Sequence, residues 1–155
     1  MDEPRLRRAV RAALDARLWP VVVVVGDPAD ELRASLAGLP VATVANEAVG
    51  GGQACSLRLG LMRVAECAPE ARGVVVMACD VPVHADHLRA LAAAACPRQG
   101  ALAASSRQGR LGLPVFFPAA LFAELCAMPG HEGCADVLAR HPGEIEAVAE
   151  DGRSA

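Results

Sequence analysis

The sequence predicts an α/β protein: a three-layer α/β/α sandwich built on a mostly parallel sheet. Three observations carry that prediction. Short valine-rich runs alternate with helical stretches along the whole chain. The connections between them are a few residues long, which keeps successive elements neighbours in space. The runs are apolar throughout rather than alternating, as strands covered on both faces are. With 155 residues, 54% of them hydrophobic, the chain suffices for a single domain over 1–155 with a sizeable core.

The elements follow in order. Leu6, Val10, Leu14 and Leu18 recur at a spacing of four, so residues 4–18 form an amphipathic helix. "PVVVVVGD" (20–27) is a buried strand ending in a Gly-Asp turn, and 28–38 is a second helix closed by Gly38. A short strand spans 40–46. Gly50 to Gly52 form a loop before a helix over 53–66, whose Leu57, Leu61 and Val64 share one face. "GVVVMACD" (73–80) is a strand buried on both faces, and 84–96 is an alanine-rich helix. Strands at 100–105 and 113–118 flank a polar turn, "SRQGRLG". Short helices over 119–127 and 132–140 precede a weak last strand near 145–149.

Composition excludes several classes. The net charge is −3, the fifteen basic residues are scattered arginines, and aromatic residues make up 3%. No nucleic-acid-binding stripe results. The longest apolar run, "VVVVV", is too short to span a bilayer, and "MDEPRLRRAV" has no apolar signal core. A soluble cytoplasmic protein is expected. Six cysteines occur without a C-x-x-C pair, each among small apolar residues, and read as reduced thiols packing as small hydrophobes. The chain contains no lysine.

In folds of this class, ligands bind outside the carboxyl ends of the strands. Asp80 falls there, with Asp27, Asn46 and the glycine triplet. An Asp at a strand tip can reach a cation, and Mg²⁺ needs only one or two protein carboxylates beside phosphates and water. Asp80 can equally make an Asx turn before Pro82. In "NEAVGGGQACSL" (46–57), glycines before a helix allow close backbone approach and leave N–H groups free for an anion. Asn46 can bond a base or ribose, and Ser56 lies one turn into the helix. "GRLGLPVFFP" and "PGHEGCADVL" add sharp glycine turns and the polar cluster His131, Glu132 and Asp136. His131 reads as a metal or phosphate contact or as a solvated loop residue, and Asp136 as an exposed helix residue.

In this order the four segments resemble the MobA-like NTP transferases, and most nearly the branch that attaches a cytidylyl group to molybdopterin. That branch reads N-x-x-W-x-x-G-M-x-x-S-L against "NEAVGGGQACSL", and D-x-P against "DVP". It reads G-x-x-G-H-P-V-x-F against "GRLGLPVFF", and G-D-x-G-A-x-x-L-L against "GHEGCADVL". The resemblance implies a Rossmann-like fold of the nucleotide-diphospho-sugar transferase (GT-A-like) type. It implies attack of a substrate phosphate on the α-phosphorus of CTP or GTP, with release of pyrophosphate. Asp80 would hold Mg²⁺, and Asn46, Gly52 and Ser56 would line the nucleotide pocket. Gly112, Pro114 and His131 would shape the side facing a phosphorylated acceptor such as molybdopterin.

The chain departs from the pattern in specific places. The family opens on a strand and the loop L-A-A-G-x-G-x-R-x-G, followed by a lysine, whereas residue 1 here falls at the helix beyond it. The fold is therefore expected to be truncated at its N-terminal strand, leaving an open sheet position for pairing or self-association. The C-terminus also stops before the family's usual D-x-D-T-P-E-D segment. Val49, Gln53, Leu113 and His131 replace the family's Trp, Met, His and Asp. Electrostatic preorganisation is usually the largest catalytic term, so a transferase impaired or inactive on its own is expected. Either the strand is encoded outside residues 1–155, or the chain is a degenerate, non-catalytic relative that binds a nucleotide or a partner. A phosphorelay receiver needs an acidic pair after its first strand and a late lysine; one Asp27 and no lysine argue against it.

Overall fold

Alternation of side chains along three neighbouring strands builds the molecule. In the computed structural model, which describes residues 3–47, 52–95 and 101–150, strands β3 (Gly73–Val76), β5 (Arg110–Pro118), β4 (Leu102–Arg107) and β6 (Ile145–Ala149) form one sheet in that order. Leu102, Ala104, Val115, Phe117, Val74 and Val76 face one core, whereas Ala103, Phe116 and Val75 face another. This is the period of two expected of a sheet covered on both sides.

Helices supply the two covers. On the first face lie α3 (Gly52–Cys67), α5 (Phe122–Cys126) and α6 (Cys134–Arg140), through residues such as Leu61, Leu125 and Val137. On the second lie α1 (Arg5–Asp15) and α4 (Ala85–Ala95), through Ala13, Leu88 and Leu91. A separate parallel pair, β1 (Val22–Val25) with β2 (Ala42–Ala45), packs on α1 around Val10, Val23, Val25 and Leu36. Short α2 (Ala29–Ala34) connects those strands. The three-layer α/β arrangement is thus present. In the four-stranded sheet, β3, β4 and β6 share one direction, and β5 alone runs against them.

Several elements differ from the sequence expectation. The polar stretch 106–112 is mostly strand, because the reversal needs only Gln108 and Gly109, with φ of 53° and 79°. Two successive positive φ values match the twist of a hairpin, and glycine takes one of them without strain. The 145–149 strand pairs in parallel with β4 over its whole length, Leu102 opposite Ile145 through Ser106 opposite Ala149. β3 ends at Val76, not at Asp80, and its residues are half-buried. One edge of β3 has no strand beside it among the described residues, which accounts for the half-burial.

A bulge between Ala104 and Ser105 holds a buried polar chain. The Ser105 hydroxyl donates to the Pro114 carbonyl at 2.6 Å. Its oxygen must therefore accept from His87 Nε2, 2.7 Å away, which fixes the proton on that nitrogen.

Candidate functional site at the carboxyl edge

Asn46 is positioned by the end of a ladder. Its backbone N–H donates to the Val25 carbonyl at 2.8 Å, extending the β1–β2 pairing one residue beyond β2. The side chain then crosses to the next helix: Asn46 Nδ2 donates to Ser56 Oγ at 2.9 Å, and the Cys55 thiol reaches Asn46 Oδ1 at 3.6 Å. Two residues singled out in sequence are thus in direct contact.

Gly52 opens α3 at φ +65°. A Cβ there would stand 2.9 Å from the Gly130 carbonyl oxygen, so glycine is needed for conformation and for closeness. This contact lays the 129–134 loop, and His131 with it, beside the start of α3. His131 itself is exposed. The rest of the predicted glycine triplet, Gly50 and Gly51, and also Val49, lie outside the described residues.

Gln53 is the residue that sequence reading missed. Its Oε1 accepts the Cys134 backbone N–H at 2.8 Å, capping α6 from α3. It borders a cavity of about 460 Å³ together with Ser56 and Cys79. It also borders a smaller space of about 160 Å³ together with Gly112 and Cys134. Gln53 thus stands between the Asn46–Ser56 side and the Gly112 side. The available signal was its place inside the 46–57 motif, where it counted only as a departure. Asp136, read as an exposed helix residue, also caps: its carboxylate accepts the Gly133 N–H at 2.8 Å and closes the first turn of α6.

Asp80 lies past the strand, in a turn closed by the Val81 N–H donating to the Ala78 carbonyl at 3.2 Å. It is exposed, and its carboxylate has no hydrogen-bond or ion-pair partner among the described residues. The burial cost attached to a carboxylate ending a buried strand therefore does not arise. Cys79 before it lines the same cavity as Ser56. Among the described residues no three His, Cys, Asp or Glu side chains converge as a metal cage. A single free carboxylate in water fits a cation that takes most of its ligands from phosphates and solvent. Pro114, by contrast, is fully buried in β5, so its ring meets the core and not a substrate. Gly112 is half-exposed, two residues before it in the chain.

Such a layered sheet, with polar groups gathered at one edge, is the frame of a nucleotide-handling α/β domain. The family model of the MobA-like NTP transferase domain matches residues 2–145, and the chain belongs to that family. It is therefore a nucleotidyltransferase-like protein. A comparison with curated proteins finds no match. Among solved structures, Rv0371c from Mycobacterium tuberculosis H37Rv is 28% identical at a TM-score of 0.79, over 94% of this chain and 74% of that one. A manganese complex of the same mycobacterial protein is 27% identical, with a TM-score of 0.76 over 94% and 75% of the two chains. A nucleotidyl transferase from Methanothermobacter has the same fold, with a TM-score of 0.78 at 22% identity over 94% and 69%.

Proposed function

We propose that the chain binds a nucleoside triphosphate, CTP or GTP, at the edge formed by Asn46, Gly52 and Ser56. The observation that carries this reading is the Asn46–Ser56 hydrogen bond beside Gly52, at the carboxyl edge where such folds take ligands. Asp80 would hold a divalent cation, Mg²⁺ by resemblance, and the manganese complex of the mycobacterial neighbour supports the use of a divalent ion. When bound, the cation neutralises phosphate charge. Asn46 and Ser56 orient the base and ribose, and Gly112 and the His131 loop face a phosphorylated acceptor such as molybdopterin. The acceptor phosphate would attack the α-phosphorus, and pyrophosphate would leave.

Transfer by residues 1–155 alone is slow or absent in this reading, because no lysine exists to stabilise the leaving charge. The second reading, a non-catalytic relative that binds a nucleotide or a partner, is favoured by Leu113 and His131, which stand where the family pattern has His and Asp. Free thiols among the described cysteines support a reducing, cytoplasmic location. No described helix is long and apolar enough to cross a membrane. Unpaired strand edges among the described residues support some self-association.

The deciding experiment is thermal unfolding with CTP, GTP or ATP, with and without Mg²⁺, coupled to a pyrophosphate assay. A saturable, Mg²⁺-dependent rise with one nucleotide supports the binding site. Pyrophosphate release on adding acceptor supports the transferase, and binding without release supports the second reading. No rise at millimolar nucleotide rejects the transferase and the nucleotide-binding form of the second reading.

A further inference from the structure

The cavity of about 460 Å³ lies between two strands that each lack a partner on one side among the described residues. There, β1 pairs only with β2, and β3 only with β5. The cavity wall includes Val21 to Val24 and Gly73 to Val76 as consecutive residues. A strand seen face-on contributes alternate residues, whereas one seen edge-on contributes them in succession. The cavity is therefore bounded by two facing strand edges. Leu61 from α3 closes it on one face and Ala13 from α1 on the other, so floor and roof are mostly apolar, with Gln53 and Ser56 the polar side chains that α3 adds to the wall. Trp19, 73% exposed, stands at the rim.

We propose that this slot accepts one extended apolar peptide segment, inserted as a β-strand that joins β1 to β3. The chemistry of the walls selects the occupant. Facing backbone edges present N–H and C=O groups that need partners, which an apolar small molecule cannot supply. A helix is about 10 Å wide and has its own backbone groups internally bonded. An extended peptide satisfies both edges and presents side chains alternately to the apolar floor and roof. β1 and β3 are four residues each, which sets the length of the inserted run at about four to six residues. The mycobacterial manganese complex aligns over only 75% of its chain, so it carries residues, ample for a strand, with no counterpart here. Binding in the slot does not depend on the nucleotide reading, and its test contains no nucleotide.

The probe is a capped peptide with a central Val-Ile-Val-Val run flanked by Lys and Glu for solubility. The control has the same sequence, with proline replacing the second valine. Trp19 is the chain's one tryptophan and reports from the rim. The expected result is a saturable blue shift of its emission, a melting point raised by several degrees, and dissolution of any oligomer, all at least tenfold weaker with the proline control. Gly60→Val, which places an isopropyl group toward Val24 in the slot, should weaken binding at least tenfold. Absence of a shift with the wild-type chain overturns the proposal. So does equal response to the proline peptide, or an oligomer that persists because a second copy holds the slot.

Discussion

The side-chain amide of Asn46, at the end of β2, donates to the hydroxyl of Ser56 on α3 at 2.9 Å. That single bond ties the separate β1–β2 pair to the helix that covers the main sheet. Asn46 is thus both a structural tie and a proposed nucleotide contact, and the two roles can be separated.

Ser56→Ala removes the acceptor and leaves the half-buried Asn46 amide short of one partner. The cost should be about 1 kcal/mol, or a melting point lower by roughly 2–4 °C for a chain of this size. Asn46→Asp keeps an oxygen to accept from Ser56 and so spares much of that stability, but it places a charge where the nucleotide would lie. Nucleotide affinity should fall at least tenfold while the melting point stays within a few degrees of wild type. Calorimetric titration beside thermal unfolding checks both, and equal affinity in Asn46→Asp and wild type would remove Asn46 from the site.

Gly52→Ala should be among the more damaging single-methyl changes. A left-handed conformation costs a non-glycine residue about 1–2 kcal/mol, and here the methyl also meets the Gly130 carbonyl at 2.9 Å. Gly109→Ala shares the positive φ but has open space around it, so it isolates the conformational part. Urea unfolding midpoints should rank wild type, then Gly109→Ala, then Gly52→Ala. Reversal of the last two would mean that the contact between Gly52 and the 129–134 loop is dispensable.

Much of this was legible in the sequence, for reasons that differ by element. Valine runs and helical spacing showed the layered α/β fold, because a sheet covered on both faces writes itself as unbroken apolar strands. The 106–112 stretch misled because its polar residues lie on a strand hairpin whose reversal needs just Gln108 and Gly109. Apolar composition also hid the end of β3, since Met77 still packs on the second core after the ladder has ended, and exposure begins only at Cys79. The nearness of Asn46 to Ser56 followed from the 46–57 motif. The bridging role of Gln53 did not, because its partner Cys134 is 81 residues away.

Asp80→Asn separates the metal role from the fold. The side chain is exposed and partnerless among the described residues, so stability should move by less than about 0.5 kcal/mol. In the nucleotide reading, the part of the thermal shift that requires Mg²⁺ should disappear, while any Mg²⁺-independent shift survives. An unchanged Mg²⁺ response in Asp80→Asn would return Asp80 to the role of turn former.

Cysteine reactivity tests the packing of the α6 cap. Burial pushes the Cys134 thiol up to about 11. At pH 8 that leaves roughly one part in a thousand as the reactive thiolate. Cys79 is exposed. Brief alkylation of the native protein should modify Cys79 first and spare Cys134 until urea unfolds the chain, as peptide mass mapping would show. Early labelling of Cys134 would mean that the α6 start, held by Gln53, opens in the native state.

Acid stability should depend on Glu124. Burial raises its pKa, but hydrogen bonds from His141 and Arg140, with the attraction of their charges, outweigh this and hold the carboxyl below its ordinary 4.5. A carboxylate depressed in the folded state binds protons more readily once unfolded. Its stabilisation is therefore complete above about pH 4.5 and fades as pH falls through the lower folded value. Because the group is partly exposed, the effect should be at most about 1 kcal/mol. Glu124→Gln removes the titration but keeps an amide oxygen for Arg140. Wild type should be the more stable of the two at pH 7, and the gap should close by pH 3. A gap that is constant across that range would mean that Glu124 acts through packing and not through its charge.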